Sequence, residues 1–398
     1  LAHSFAGRCY VQLFHDRYRW DDRRVRVLTR LATHLGLPSV AAPEVRYATP
    51  ETYQLYDALL CGRLGITVHD AHPARPQNDC QAVPTRTDFA ARFPQPGRVA
   101  EVVAAAAQFS PLAGALVTPR ALLPPGFASA DAYLRYRCEQ ALPEKYPATS
   151  AAHERLQREL ATIAELGLAD FFLVATEIMD FCHENGILAA GRGSATGSIT
   201  CYLLGISAVD PVAHDLLFER FLHTGITVTP DIDIDISSAR RREVITWVEE
   251  RFGAQREAMV CNKITYRLPS AIHDLGRALG LPPEVRQQLT HNLGRDYRGL
   301  RPPHIEPAIP ALLEAGDTPA VRQLITLIGL MERKHCRHLA PHSGGVVLAP
   351  GTLLGYSPVH TSTGGIRLLQ LDKDDAEAMG LIKLDLLGLR MLSALENT

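Results

Sequence analysis

The segment Pro230-Asp231-Ile232-Asp233-Ile234-Asp235-Ile236 places three carboxylates at alternate positions. A β-strand has a side-chain period of two, so the aspartates share one face and the isoleucines the other. Aspartate is depleted in strands. Carboxylates two residues apart on a strand lie ~7 Å apart and repel by roughly 2–3 kcal/mol at an effective dielectric near 20. A cation on that face removes the conflict. Mg²⁺, held by one or two carboxylates plus substrate phosphates, suits it. The competing reading is the solvated face of an amphipathic edge strand.

Two further segments carry chemistry-bearing groups. Gly191-Arg192-Gly193-Ser194-Ala195-Thr196-Gly197-Ser198 leads into the helix-like run Ile199–Leu204. Small residues at such a junction leave backbone N–H groups and the positive end of the helix dipole open to a phosphate. Arg192 would add a forked donor, and Ser194 and Ser198 their hydroxyls. A loop closed by a capped helix is the plainer alternative. In Ile382-Lys383-Leu384-Asp385-Leu386-Leu387-Gly388-Leu389, strand alternation sets Lys383 beside Asp385, with Ile382, Leu384 and Leu386 behind. That pair is either a surface ion pair of little worth or a third metal-binding carboxylate beside a lysine that neutralises phosphate charge. A phosphate-cradling turn, a DxD strand and a third aspartate on a neighbouring strand together suit in-line phosphoryl displacement with two metals ~4 Å apart. The set points to nucleotidyl transfer.

The elements that must position these groups read as mixed α and β. A helix over 22–36, a short strand over 38–42 and a helix over 52–64 suggest an α/β layer or barrel. Residues 71–98, broken by five prolines, read as irregular. A long helical stretch covers 131–185, residues 261–341 read as helical with proline interruptions, and 343–349 and 382–387 read as strands. No internal repeat is visible.

Composition narrows the classes. At 398 residues two or three domains are expected. Hydrophobic residues at 46% and charged residues at 21% exclude a disordered or collagen-like chain. No apolar run approaches the ~20 residues of a membrane span. The first residues have neither an initiator Met nor a signal-peptide pattern, and read as the start of a piece of something longer. A net charge of −2 does not by itself announce nucleic acid. Eight cysteines without a CxxC pair favour reduced thiols in a cytoplasm over zinc or disulfides.

The motifs resemble, in order, those of the catalytic subunit of bacterial replicative polymerases, the C-family or DNA polymerase III alpha subunit. The resemblance lies in Gly191–Ser198, Cys201–Ile206, Asp210-Pro211, Leu216–Leu222, Pro230–Ile236, Arg241–Val244 and Ile382–Leu389. Ile264–Arg267, His342–Val347 and Gln370–Asp375 share it. The stretch 338–398 is closer to the error-prone, damage-tolerant branch. The resemblance implies a polymerase-beta-like nucleotidyltransferase palm with an inserted helical thumb, preceded by the C-terminal part of a PHP α/β barrel. The expected divisions are 1–118 for the PHP segment, 119–260 and 342–398 for the palm, and 261–341 for the thumb. It implies two Mg²⁺ ions on Asp233, Asp235 and Asp385 as the catalytic trio. Asp231 matches a leading aspartate not usually counted as a ligand. Arg192, Gly193, Ser194 and Lys383 are implied to meet the triphosphate. Primer-template DNA and dNTP are the implied substrates, and a sliding clamp and other polymerase subunits the implied partners.

Two departures qualify this. Where the family often has Asn-Asp-Val-His-Tyr, this chain has Pro43-Glu44-Val45-Arg46-Tyr47, so no PHP metal site and no phosphoesterase or proofreading activity is expected. The chain also stops at Thr398, so the fingers, clamp-binding and OB-fold regions are expected to be missing and the fragment alone inactive. The thumb window has eleven basic residues, Lys263, Arg267 and Arg277 foremost and Arg295 and Arg298 among them, against seven acids. That excess fits tracking of a duplex backbone, or a solvated helical face. The alternatives to a polymerase are another nucleotidyltransferase acting on a small acceptor, and a catalytically incomplete DNA-binding module.

Overall fold

The computed structural model describes residues 7–108, 116–147, 150–223, 225, 230–294, 297, 299–302 and 304–398. Its strands are β1 (Val11–Leu13), β2 (Ser39–Ala41), β3 (Ala189–Arg192), β4 (Ile232–Ser237), β5 (Glu257–Thr265), β6 (Cys336–Leu348), β7 (Val359–Thr361), β8 (Arg367–Leu369) and β9 (Lys383–Leu389). The chain divides into two compact units, residues 1–110 with 265–337 and residues 111–264 with 338–398. It is a mixed α/β protein. No helix among the described residues is long and apolar enough to cross a membrane.

The second unit is built on a seven-stranded sheet in the order β3-β4-β9-β6-β5-β8-β7. The aspartate-rich strand β4 is not at an edge: β3 pairs with it antiparallel and β9 parallel. Parallel neighbours need a long crossover, and here residues 238–382 lie between the two strands. The alternation in β4 works as its period requires. Ile232, Ile234 and Ile236 are fully buried and join Leu384 and Leu386 of β9 in the main core. Phe171, Phe172, Val174 and Ile178 of the helix Ala169–Glu184 pack into the same core.

The stretch 131–185 resolves into three helices, Ala130–Lys145, Ser150–Glu165 and Ala169–Glu184. The expectation of helix throughout 261–341 fails at both ends, where β5 runs to Thr265 and β6 starts at Cys336. The buried run Ala258-Met259-Val260-Cys261 is uniformly apolar, and such a run has no period to distinguish strand from helix. Pro341 lies in β6 outside its register with β9, which covers Gly345–Val347. The stretch 71–98 is less irregular than its prolines suggest. A helix, Arg86–Arg92, starts right after Pro84, with the Thr85 side chain accepting from the Asp88 N–H.

In the first unit β1 and β2 pair in parallel, and Leu13, Ala41 and Phe93 form a small core beneath them. A larger core joins Leu55, Ala58 and Cys61 to Leu268, Ile272, Leu275, Leu324 and Ile328. Residues of the two expected segments 1–118 and 261–341 therefore share one apolar cluster.

Glu257 on β5 is 2% exposed, and burial pushes its pKa up to about 8, helped by Glu249 and opposed by Arg367 and Arg242. The unfolded chain releases this proton near its ordinary value of 4.5. Between these values the folded state holds more protons, so the contribution to stability is full below about pH 4.5 and falls away as pH rises to about 8. Glu257→Gln removes that dependence. In denaturant titrations the variant should match the parent near pH 4 and exceed it by roughly 1–4 kcal/mol at pH 8.

Candidate active site

Strand register brings the acidic groups together. Asp233 stands opposite Asp385 across the parallel β4–β9 pair, and Arg192 of β3 stands opposite Asp233 on its other side. Asp231, Asp233 and Asp385 each offer a carboxylate oxygen, and these atoms lie within 4.8 Å of one another. Among the described residues this is the group of three or more His, Cys, Asp or Glu side chains placed to hold a metal ion. Asp235 is directed elsewhere: its Oδ1 accepts from Arg192 Nε at 2.8 Å, while Arg192 Nη2 lies 3.7 Å from Asp233 Oδ2. Lys383 Nζ donates to Asp231 Oδ2 at 2.5 Å and to Asp385 Oδ2 at 2.7 Å.

The electrostatics follow from this crowding. Burial raises the pKa of Asp231, Lys383 opposes it, and the charge of Asp385 adds to the rise. Burial also raises Asp233, against the pull of Arg192 and with the push of Asp385. For Lys383 burial favours the neutral amine, but its bonds to Asp231 and Asp385 outweigh it and raise the pKa. Two buried oxygens, Asp231 Oδ1 and Asp385 Oδ1, accept no hydrogen bond. His342 approaches Asp385 Oδ1 at 3.9 Å without serving it. Its Nδ1 already accepts from the N–H groups of Gly344 and Gly345 at 3.2 and 2.8 Å, so that nitrogen bears no proton. A buried anionic oxygen without a donor is costly. Oxygen-only ligands with unmet acceptor capacity fit a hard divalent cation.

The glycine-rich turn borders this group. Gly193 has φ +70°, and a Cβ there would sit 3.5 Å from Asp233 Oδ2, so the turn passes the carboxylate in a conformation that glycine adopts without strain. Gly193 and Ser194 are exposed. With Thr196, Gly197, Leu216, Leu217 and Arg220 they line a cavity of about 360 Å³.

Ser198 does not join them. It is fully buried and donates to Glu159 Oε2 at 2.8 Å, and Glu159 also accepts from the N–H groups of Ile199 and Thr200. The start of the short helix Ile199–Leu203 thus faces a carboxylate of its own chain rather than open space. Nothing in the local sequence marks Glu159 for this; its only signal is Arg155 one helical turn earlier. The expected DNA contacts are distributed differently. Lys263 Nζ lies 2.9 Å from Asp372 and 2.8 Å from Asp375, tying β5 to the capping box of the helix Lys373–Ala378. Arg277 donates to the Gly62 carbonyl at 2.6 Å. Arg267 is exposed where the helix Leu268–Ala278 begins, and Arg295 and Arg298 lie outside the described residues. Arg241, from the basic run 240–242, donates to the Leu386 carbonyl at 2.6 Å, behind Asp385.

Residues 132–388 match the family described as the bacterial DNA polymerase III alpha NTPase domain. The chain is 35% identical over 406 residues to the error-prone DNA polymerase of Methylococcus capsulatus, covering 100% of this chain and 38% of that protein. Similarity to the error-prone DNA polymerase of Aromatoleum aromaticum is 37% over 391 residues, 95% of this chain and 36% of the relative. For the Pseudomonas aeruginosa error-prone DNA polymerase it is 35% over 410 residues, 100% and 38%. The chain therefore spans little more than a third of the length of these relatives.

Gly191, which pairs opposite Ile234, leaves no room for a side chain: a Cβ there would lie 2.5 Å from the Ile206 carbonyl oxygen. Gly191→Ala should cost about 1–3 kcal/mol of stability, measured by urea unfolding, because backbone rather than a movable side chain must yield.

Proposed function

The chain belongs to the bacterial DNA polymerase III alpha family, on its error-prone branch, and from that membership we propose that it carries the catalytic palm of a DNA-directed DNA polymerase. The observation that carries this reading is the facing of Asp233 and Asp385 across two parallel strands, with buried carboxylate oxygens that lack donors. The reaction joins the 3′-oxygen of a primer to the α-phosphorus of a dNTP. The bond from that phosphorus to the bridging oxygen breaks, pyrophosphate leaves, and the hydroxyl proton passes to solvent. This is the synthesis step of replication or of error-prone repair after DNA damage.

Asp233, Asp235 and Asp385 are the residues assigned to two Mg²⁺ ions. Asp233 and Asp385 belong to the convergent trio, and Asp235 lies beside Arg192 on the same strand face. Magnesium, when bound, supplies positive charge for the attacking and departing oxygens. Lys383 donates to Asp231 and Asp385 and offers its ammonium to phosphate. Arg192, Gly193 and Ser194 receive the triphosphate, with Arg192 shared between it and Asp235. Arg267 meets the duplex backbone directly, while Lys263 and Arg277 reach it by exchanging their present partners.

The palm takes residues 119–260 and 342–398, the thumb takes 261–341, and residues 1–118 form the PHP segment. The division of the chain at 264/265 and 337/338 supports a segment inserted into the palm. Primer-template DNA and dNTP are the substrates, sliding clamp and other polymerase subunits the partners, and the cytoplasm the place of work. Asp233→Asn in the full-length protein should reduce primer extension by about 10³-fold or more. Its melting temperature should be equal or higher, since one of the repelling charges is gone. Extension at the parental rate would overturn the assignment.

A further inference from the structure

Behind the glycine-rich turn lies a buried ion pair that none of the steps above uses. Arg155 and Glu159 stand one turn apart on the helix Ser150–Glu165, and Glu159 is 1% exposed. Glu159 Oε2 accepts from Ser198 Oγ at 2.8 Å and the Thr200 N–H at 3.1 Å; Oε1 accepts from the Ile199 N–H at 3.0 Å and Arg155 Nε at 3.2 Å. Burial raises its pKa, against these four donors. Arg155 extends the network: its Nη2 donates to the carbonyls of Gly197 and Leu216, both at 2.6 Å, and its Nη1 to the Pro211 carbonyl at 3.3 Å.

Those two carbonyls belong to the two segments that line one cavity, at the place where the segments meet: a Cβ on Gly197 would lie 2.7 Å from the Leu217 carbonyl oxygen. Gly197 closes the turn that carries Gly193 and Ser194, and Leu216 begins the segment that carries Leu217 and Arg220. A single guanidinium, placed outside the cavity lining, ties the two segments together at that junction and so fixes the angle at which they diverge around the cavity. Nη2 serves both carbonyls while Nε holds Glu159 and Nη1 the Pro211 carbonyl, a set of planar donors that a lysine's single nitrogen cannot reproduce. Burying such a pair is expensive compared with apolar packing, so its yield is geometry rather than stability.

We propose that Arg155 and Glu159 are positioning residues that set the width of this cavity for the triphosphate of the incoming nucleotide, acting through Gly197 and Leu216. The inference rests on the polymerase reading. Its test is steady-state primer extension by the full-length protein, with dNTP as the varied substrate and primer-template affinity measured separately. Arg155→Lys keeps the charge and loses the fork. It should raise the KM for dNTP about 5–20-fold, change kcat by less than about threefold and leave primer-template affinity unaltered. A purely structural role would lower the folded fraction, and so kcat, without moving KM. Glu159→Gln puts an amide N–H against donors and should shift KM in the same direction, so it carries the test if Arg155→Lys does not fold. A folded variant with KM for dNTP within twofold of the parent would overturn the inference alone. Failure of the parent protein itself to extend a primer would remove the polymerase reading, and this inference with it.

Discussion

The repulsion between Asp233 and Asp385 is the constraint on which the second unit is organised. Parallel pairing of β4 with β9 forces two like charges to face each other, and Asp231 and Asp235 add theirs to the same surface. Each such contact costs roughly 2–3 kcal/mol at an effective dielectric near 20. On the reverse face Ile232, Ile234, Ile236, Leu384 and Leu386 are all buried. Side chains of this kind contribute about 1.5–3 kcal/mol each when removed from water. The apolar side is what opposes the repulsion on the acidic side.

The balance on the acidic face is deliberately incomplete. Four carboxylates meet two cations, Arg192 and Lys383, and each cation is divided between two acids. His342, which is close enough to help, instead spends its Nδ1 on the backbone of its own strand. What remains is negative charge that water reaches poorly and protein donors do not satisfy. At Glu159 the opposite holds, because both of its carboxylate oxygens are bonded and the charge is answered by Arg155. The two acidic sites differ in chemistry because one is closed by its own chain and the other is left open.

Much of this was legible in the residue pattern. The alternation of Asp and Ile in β4 and of Lys, Asp and Leu in β9 specifies which side chains share a face, since a period of two has only one solution against a core. Pattern alone did not show that β4 is an interior strand, because that depends on partners far away in the chain. Nor could it separate Asp231 from Asp235. Their different partners, Lys383 for Asp231 and Arg192 for Asp235, come from the cross-strand positions of those cations, which are matters of register. Ser198 was expected beside a phosphate because its local surroundings suit one; Glu159, at a separation of 39 positions, claims it instead. The strand at β5 was hidden for a simpler reason: four consecutive buried apolar residues carry no periodic signal.

The pairing of β4 with β9 has a consequence for how the protein is made. Lys383 and Asp231, now bonded, are 152 positions apart. During synthesis the aspartates of β4 leave the ribosome long before the strand that completes them. A nascent chain that has reached only the DIDID segment has β3 as a partner for one edge of that strand, but its other edge is open and strongly acidic and the centre is not closed. Non-local pairing of this sort is slow, so the acidic ribbon is itself a safeguard: its charge opposes edge-to-edge association until β9 arrives.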